Sequence, residues 1–216
     1  MKKITLSFKS DETFEKFMGL VKLMPSVKVV NVGGDEAKNG DKPVLVDLGL
    51  PSGTLWADRN LGADHAHEYG GYYRFGETTP LTKDSTEYKY DEIDGDIAGT
   101  QRDAATAMLG GRFHMPTDDQ IRELTERCEW KWTEVAGVKG MTVTGPNGNS
   151  IFLPAAGYRS YSSGSLSYVG SDGYYWSATP YDTSNGRYLG FYSSYWGWDY
   201  YSRAYGFSVR PVAERN

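Results

Sequence analysis

The sequence contains a single cysteine, Cys128, among its 216 residues. One cysteine forms no disulfide within the chain and supplies no cysteine-pair zinc or redox site. Cys128 also lies on the apolar face of a predicted helix, whereas a nucleophile needs an exposed, electropositive setting with a base nearby. It is therefore expected to be a small core residue rather than a catalytic one.

Several other features are absent. No apolar run reaches the length of about 18 residues that a membrane-spanning helix needs, so membrane insertion is not expected. The formal net charge of −5 leaves no basic stripe to meet phosphates, so nucleic acid is not an expected partner. Residues 1–11 become charged within a few positions and lack an apolar core, so they do not read as a signal peptide.

Catalytic fingerprints are missing as well: there is no Gly-x-Ser-x-Gly motif, P-loop or dinucleotide-binding motif. The segment 64–68 contains His65 and His67 between carboxylates, but a solvated loop is favoured over a metal site there. The acidic segment 91–96 does not complete a calcium loop. No metal, cofactor or catalytic residue is expected, and a hydrolase or metal enzyme is the least favoured class.

The composition is uneven along the chain. All 12 lysines and 11 of the 12 glutamates lie within residues 1–139, whereas residues 142–213 contain no Lys, Glu, Gln, Met, His or Cys. Residues 158–205 hold 12 of the 17 tyrosines and 11 serines but only six charged residues. Such Tyr- and Ser-rich surfaces are typical of antibody-like recognition loops, because Tyr offers a large amphipathic contact area at a small cost in entropy.

Local patterns predict an α+β protein. Residues 1–32 read as a small β-α-β module, expected to dock to a larger assembly or to mediate oligomerisation, and residues 33–43 as a linker. The domain at 44–216 is expected to hold two helices, short antiparallel strands and long loops. Strands are predicted at 44–50, 54–57, 139–144, 150–153, 174–177, 187–192 and 207–212, and helices at 103–109 and after the capping box formed by Thr117 and Gln120.

Alternation within the strand at 187–192 predicts two faces. Leu189 and Phe191 share a core face, and Tyr188, Gly190 and Tyr192 share a solvent face. The segment that follows is unusually rich in Tyr and Trp, and consecutive aromatic residues cannot all point inward. An exposed binding patch is therefore favoured over a purely structural role. A core role is expected for Trp56, Trp176, Leu189, Phe191 and Phe207.

A series of motifs between residues 44 and 212 resembles the Fibrobacter succinogenes major paralogous domain family. The motifs are Val46–Ala57, Tyr69–Tyr73, Phe75–Thr79, Phe113–Thr117, Asn147–Arg159, Tyr174–Ser177 and Gly206–Val212. The resemblance implies a C-type lectin-like fold in its formylglycine-generating-enzyme-like variant. It also implies a link to diversity-generating retroelements of gut bacteria and their phages, in which a reverse transcriptase mutates template adenines and the lectin scaffold displays the changed side chains.

The residue types agree with such diversification. Randomising both adenines of an AAC or AAT codon yields Tyr, Ser, Asp, Gly and Asn among others, but never Lys, Glu, Gln, Met or Trp. Residues 142–158 belong to the expected fixed scaffold, so part of the missing composition has another cause. Trp196 and Trp198 cannot arise in this way and would be fixed even where they touch ligand.

The family pattern, carried over position by position, implies a set of ligand-binding residues. They are Tyr181, Asp182, Asn185, Tyr188, Gly190, Tyr192, Tyr195, Trp196, Trp198, Asp199, Tyr200, Tyr201 and Tyr205, with Ser184 and Arg187 as further candidates. Scaffold positions are Leu189, Phe191, Gly206, Phe207, Val209 and Arg210.

The chain departs from two activities of related folds. It lacks the cysteine pair of formylglycine-generating enzymes and the Glu-Pro-Asn, Gln-Pro-Asp and Trp-Asn-Asp motifs of calcium-dependent sugar binding. The expected function is a non-enzymatic binding protein, on a phage virion or bacterial cell surface, whose hypervariable aromatic face binds a protein or glycan receptor on another cell or host. The alternative is a fixed lectin-like domain that binds a polysaccharide or partner protein without diversification.

Overall fold

The computed structural model describes residues 42–85 and 87–215. The predicted module at 1–32 and all but the last two residues of the predicted linker at 33–43 lie outside the described residues. The described part is α+β, with two helices and mainly small antiparallel sheets. In chain order its elements are β1 (Leu45–Asp47), β2 (Leu55–Ala57), α1 (Ala104–Leu109), α2 (Asp118–Arg127), β3 (Glu129–Val135), β4 (Val138–Thr144), β5 (Ser150–Pro154), β6 (Tyr158–Arg159), β7 (Leu166–Ser167), β8 (Asp172–Pro180), β9 (Asn185–Tyr192), β10 (Tyr195–Ser202) and β11 (Val212–Ala213).

Three of the described sheets have three strands each, in the orders β1-β2-β11, β3-β4-β5 and β10-β9-β8. Strands β6 and β7 pair separately. The first sheet joins both ends of the described chain, because β1 and β11 pair with β2 on its two sides. The third sheet matters most for function: β9 is its central strand and β10 lies at its edge.

Side-chain caps set the start of both helices. The side chain of Asp103 accepts hydrogen bonds from the N–H groups of Ala105 and Thr106 at the start of α1. At α2, Thr117 and Gln120 form the complete capping box. These caps satisfy backbone donors that have no partner within the helix, so they fix where each helix begins.

The apolar side chains are buried in two clusters, and the five residues predicted to be core are all buried. The first cluster joins α2 to the sheets; its larger members include Trp56, Ile121, Leu124, Trp130, Met141, Tyr175, Leu189 and Phe191. The second packs the long loop after β2 against β8 and the C-terminal segment; it includes Tyr73, Phe75, Met115, Trp176 and Phe207.

Two predicted strands are shorter or broken. The strand predicted at 44–50 ends at Asp47, whose side chain accepts a hydrogen bond from the N–H of Gly49, where φ is 74°. The strand predicted at 207–212 is replaced by isolated bridges before β11. Pro211 cannot donate a hydrogen bond there, which explains the interruption.

Four strands were not predicted at all: β3, β10 and the two short strands β6 and β7. Strand β3 pairs with β4 through a tight turn in which Ala136 and Gly137 both have positive φ, the conformation of a two-residue hairpin loop. Strand β10 occupies the aromatic segment after Tyr192, and its identity as a strand decides which aromatic side chains share a face.

Candidate ligand-binding surface

Strands β9 and β10 form a hairpin, here called the aromatic hairpin, around the turn residues Ser193 and Ser194. Its large side chains are unusually exposed, although most are apolar rings. Together with the neighbouring Tyr181, the exposed set is Tyr181 (45%), Tyr192 (47%), Tyr195 (48%), Trp196 (38%), Trp198 (40%) and Tyr200 (47%). Exposed aromatic side chains grouped on one hairpin mark an interaction surface more often than incidental exposure.

The candidate residues were predicted to share one face of the sheet. Instead, they are divided between its two opposite faces. Successive side chains of a strand point to opposite faces, and directly paired residues share a face. Tyr200 pairs with Arg187, whereas Asp199 pairs with Tyr188. Because β10 was not recognised as a strand from its sequence, this division was missed.

The first face turns toward α2 and β3 and is here called the helix-side face. Trp196 stacks on Trp130 with ring centroids 5.9 Å apart. The guanidinium group of Arg122 lies 3.7 Å from the ring centroid of Trp198. Each of these two exposed rings is therefore packed against a specific neighbour.

Farther along the helix-side face, Tyr181 stacks on Tyr200 with centroids 3.9 Å apart and an interplanar angle of 5°. Arg187 lies over the same Tyr181 ring at 5.1 Å and is 3.8 Å from the carboxylate of Asp118. The positive charge on this face is thus paired with a carboxylate of α2.

The second face, here called the tyrosine face, is built in three rows across β8, β9 and β10. The rows are Asp172, Tyr192 and Tyr195; Tyr174, Gly190 and Gly197; and Trp176, Tyr188 and Asp199. The first row is open to solvent, whereas Trp176 at the far corner is fully buried against Phe207. Burial on the tyrosine face therefore decreases from the second core to the hairpin tip.

Three tyrosines lie nearer the second core and are half-buried against it: Tyr188, Tyr201 and Tyr205. Their side chains are therefore less exposed to solvent than predicted. Tyr201 packs edge-on against Tyr205 at 4.8 Å. Burial raises the pKa of Tyr188 and of Tyr201 to about 12, because desolvation disfavours the charged phenolate. A shallow depression of about 490 Å³ opens beside them, lined by Tyr161, Asn185, Tyr200, Tyr201, Ser202 and Tyr205.

Asp182 and Asn185 shape the turn before β9. Oδ1 of Asp182 accepts hydrogen bonds from the N–H groups of Ser184 and Asn185, and the Asn185 amide donates to both of its oxygens. The hydrogen bond from Asn185 holds the pKa of Asp182 below its ordinary value. Both residues lie beside the exposed rings, and much of their hydrogen-bonding capacity is used within the turn.

Sequence reasoning missed several members of this surface. Asp172 and Tyr174 belong to the tyrosine face through β8, and Tyr161 lines the depression. All three fall inside the Tyr-rich segment 158–205, so its composition was the available signal. Arg122 and Trp130 support the helix-side face from α2 and β3, and no local pattern indicates contacts of that range.

The other chemical candidates form no reactive constellation. The rings of His65 and His67 stack 5.6 Å apart, and the Glu68 carboxylate accepts hydrogen bonds from the backbone of this loop. Within the described ranges, no group of three or more His, Cys, Asp or Glu side chains is placed to hold a metal ion. Cys128 follows α2, half-buried against the first core, and burial raises the pKa of its thiol to about 11.

None of the helices in the described part of the chain combines the length and apolar character needed to cross a membrane.

Comparison with known proteins gives one match. A family described as a domain of unknown function, DUF8237, matches residues 130–212, less than half of the chain. The matched region runs from β3 to the start of β11 and contains the whole aromatic hairpin. No curated protein and no solved structure matches the chain.

Proposed function

We propose that this chain is a non-enzymatic binding protein whose aromatic hairpin contacts a receptor, a protein or a glycan on the surface of another cell. The observation that carries the proposal is the group of six exposed Tyr and Trp rings on and beside one edge hairpin. Tyr and Trp are the residue types that most often dominate binding energy at interfaces. Rings fixed by stacking lose little further freedom on binding, so more of the contact energy is retained.

We also propose that the hairpin is diversified between copies of the gene. The division between exposed and buried positions supports this idea. Every candidate variable position, from Tyr181 to Tyr205, is exposed or half-buried. All six predicted scaffold positions, Leu189, Phe191, Gly206, Phe207, Val209 and Arg210, are buried. Substitutions restricted to the first set would change the surface and leave the core intact.

A C-type lectin-like scaffold is part of the same proposal. Support comes from the pairing of the first and last described strands with β2, from the two helices, and from the long loop between β2 and α1. Such an arrangement anchors both ends of the domain in one sheet while the hairpin lies in another. An N-terminal module would then attach the domain to a virion or a cell-surface assembly.

Sequencing the gene and its flanking DNA across the source population tests diversification. We expect differences at the codons of the candidate positions, arising only at template adenines, and a nearby imperfect repeat of codons 174–212. Codons 189, 191, 207, 209 and 210 serve as the internal control and should be constant. Identical hairpin codons in every copy, with no repeat, would favour the fixed lectin-like binder instead.

Binding itself is tested with the fluorescently labelled full chain on a panel of bacterial strains, read by flow cytometry, with a glycan array in parallel. The test variant combines Tyr192→Ser, Tyr195→Ser and Tyr200→Ser. Each interface hot spot contributes about 2 kcal/mol, or about 30-fold in affinity, so binding should fall below detection.

The matched control lies on the β3–β4 hairpin, where Lys131, Glu134 and Val135 are also exposed. Replacing these three by Ser should leave binding unchanged. Equal binding by both triple variants would show that the aromatic hairpin is not the receptor site.

A further inference from the structure

We propose that the tyrosine face takes a cationic ligand group, the guanidinium or ammonium group of a basic peptide segment, on the rings of Tyr192 and Tyr195. This inference rests on the proposed binding function and adds the chemistry of the partner. It is carried by three observations: a paired-glycine strip, the sign of the exposed charges, and the placement of every nearby arginine.

The glycine strip sets the shape of the surface. Gly190 and Gly197 pair directly across β9 and β10 on the tyrosine face. A Cβ atom added at Gly190 would lie 2.9 Å from Cε2 of Tyr188, and one at Gly197 would lie 2.5 Å from the hydroxyl of Tyr195. The side chains of Tyr188 and Tyr195 therefore lean along the sheet over bare backbone, a position that any side chain at Gly190 or Gly197 would obstruct.

The hairpin tip adds a second ring. Tyr192 and Tyr195 stack with centroids 5.4 Å apart, and about half of each side chain remains exposed. The faces of aromatic rings carry the negative part of the ring quadrupole, and they attract a cation within about 6 Å of the centroid. Two adjacent rings suit a planar guanidinium group, which stacks as well as carrying charge.

The exposed charges on this face are carboxylates. Asp199 lies exposed beside the glycine strip, and Asp172 lies half-buried in the row of Tyr192. Oδ1 of Asp199 accepts the backbone hydrogen bond of Tyr200, and Oδ2 has no partner among the described residues. Asp172 shares the row of Tyr192 and Tyr195, and Asp199 lies two rows farther along β10, so both carboxylates on this face carry the sign of charge that attracts a cation.

No basic side chain of this region competes for that site. Residues 142–213 contain no lysine. Arg187 lies on the helix-side face near Asp118, and Arg159 donates to the carbonyl of Gly164. Arg203 and Arg210 are fully buried. An anionic ligand would meet the carboxylates of Asp172 and Asp199 here, so charge complementarity favours a cation.

The test uses the full chain and a blocked peptide of alternating Gly and Arg, with matched Gly-Glu and Gly-Ser peptides, in isothermal titration calorimetry at low and moderate salt. We expect only the Arg peptide to bind, and more weakly as salt rises. Tyr195→Leu should weaken that binding about tenfold, whereas Tyr195→Phe should retain it, because Phe keeps the ring quadrupole and Leu does not. Asp199→Asn should weaken binding by about fivefold.

The control Glu134→Gln removes the same charge from the exposed end of β3. If Asp199→Asn and Glu134→Gln weaken binding equally, the attraction is non-specific and the inference is overturned. If no Arg peptide binds while the Tyr192, Tyr195 and Tyr200 triple variant still loses cell binding, the ligand is not cationic and the proposed function stands. If the variants lose neither Arg-peptide binding nor cell binding, both the inference and the proposed function are overturned.

Discussion

Replacing Arg210 by methionine is expected to lower the free energy of unfolding by about 3–5 kcal/mol, because three buried acceptors would lose their hydrogen-bond donor. Arg210 is 1% exposed and its guanidinium donates to three acceptors. Nε donates to Oδ1 of Asn60 at 3.0 Å, Nη1 to the carbonyl of Ala57 at 3.0 Å, and Nη2 to the carbonyl of Phe152 at 2.7 Å. One side chain thus connects β2, the loop after it and β5.

Methionine fills much of the same volume but donates no hydrogen bond, so three buried acceptors lose their partner. Each buried acceptor left unsatisfied costs about 1–3 kcal/mol, which outweighs what is gained by removing a buried charge. Urea unfolding of the full chain, followed by tryptophan fluorescence, measures the difference.

The matched control is Arg215→Met. Arg215 pairs with Asp47 at the surface, where ion pairs contribute about 0–1 kcal/mol. A loss of less than about 1 kcal/mol for Arg210→Met would mean that water takes over the three bonds, and the role assigned to Arg210 would be wrong.

The parts of the fold that sequence could predict depend on local signals. The capping box of Thr117 and Gln120 needs only four consecutive residues, and it fixed the start of α2 correctly. The turn at Asn147 and Gly148 likewise predicted the β4–β5 hairpin.

The rest depends on tertiary contacts. Strand β10 has no clear polar–apolar alternation, since the exposed Trp196, Trp198 and Tyr200 alternate with residues that are themselves exposed or half-buried. Its strand conformation comes from pairing with β9, and tertiary context overrides local pattern in such cases. The sequence predicted that the binding residues lie near one another. Their division between two faces follows from the β9–β10 register, which composition does not reveal.

Phe191 and Tyr192, adjacent on β9, give the sharpest test of the division between scaffold and surface. Phe191→Ala should cost about 3–5 kcal/mol of folding stability, because it deletes a buried ring from the first core. That ring lies 5.8 Å from Tyr175 and 6.2 Å from Trp130, measured between centroids. Tyr192→Ala, one residue away on the opposite face, should cost less than about 1 kcal/mol.

The contrast matters because a recognition surface can be altered freely only if its side chains contribute little to folding. Tyr192 is 47% exposed and Phe191 is 2% exposed, so thermal or urea unfolding of the two variants should separate them clearly. If Tyr192→Ala destabilised the chain as much as Phe191→Ala, the hairpin rings would belong to the core. The exposed tyrosines would then be structural, and neither diversification nor receptor binding through this hairpin would remain a sound explanation for them.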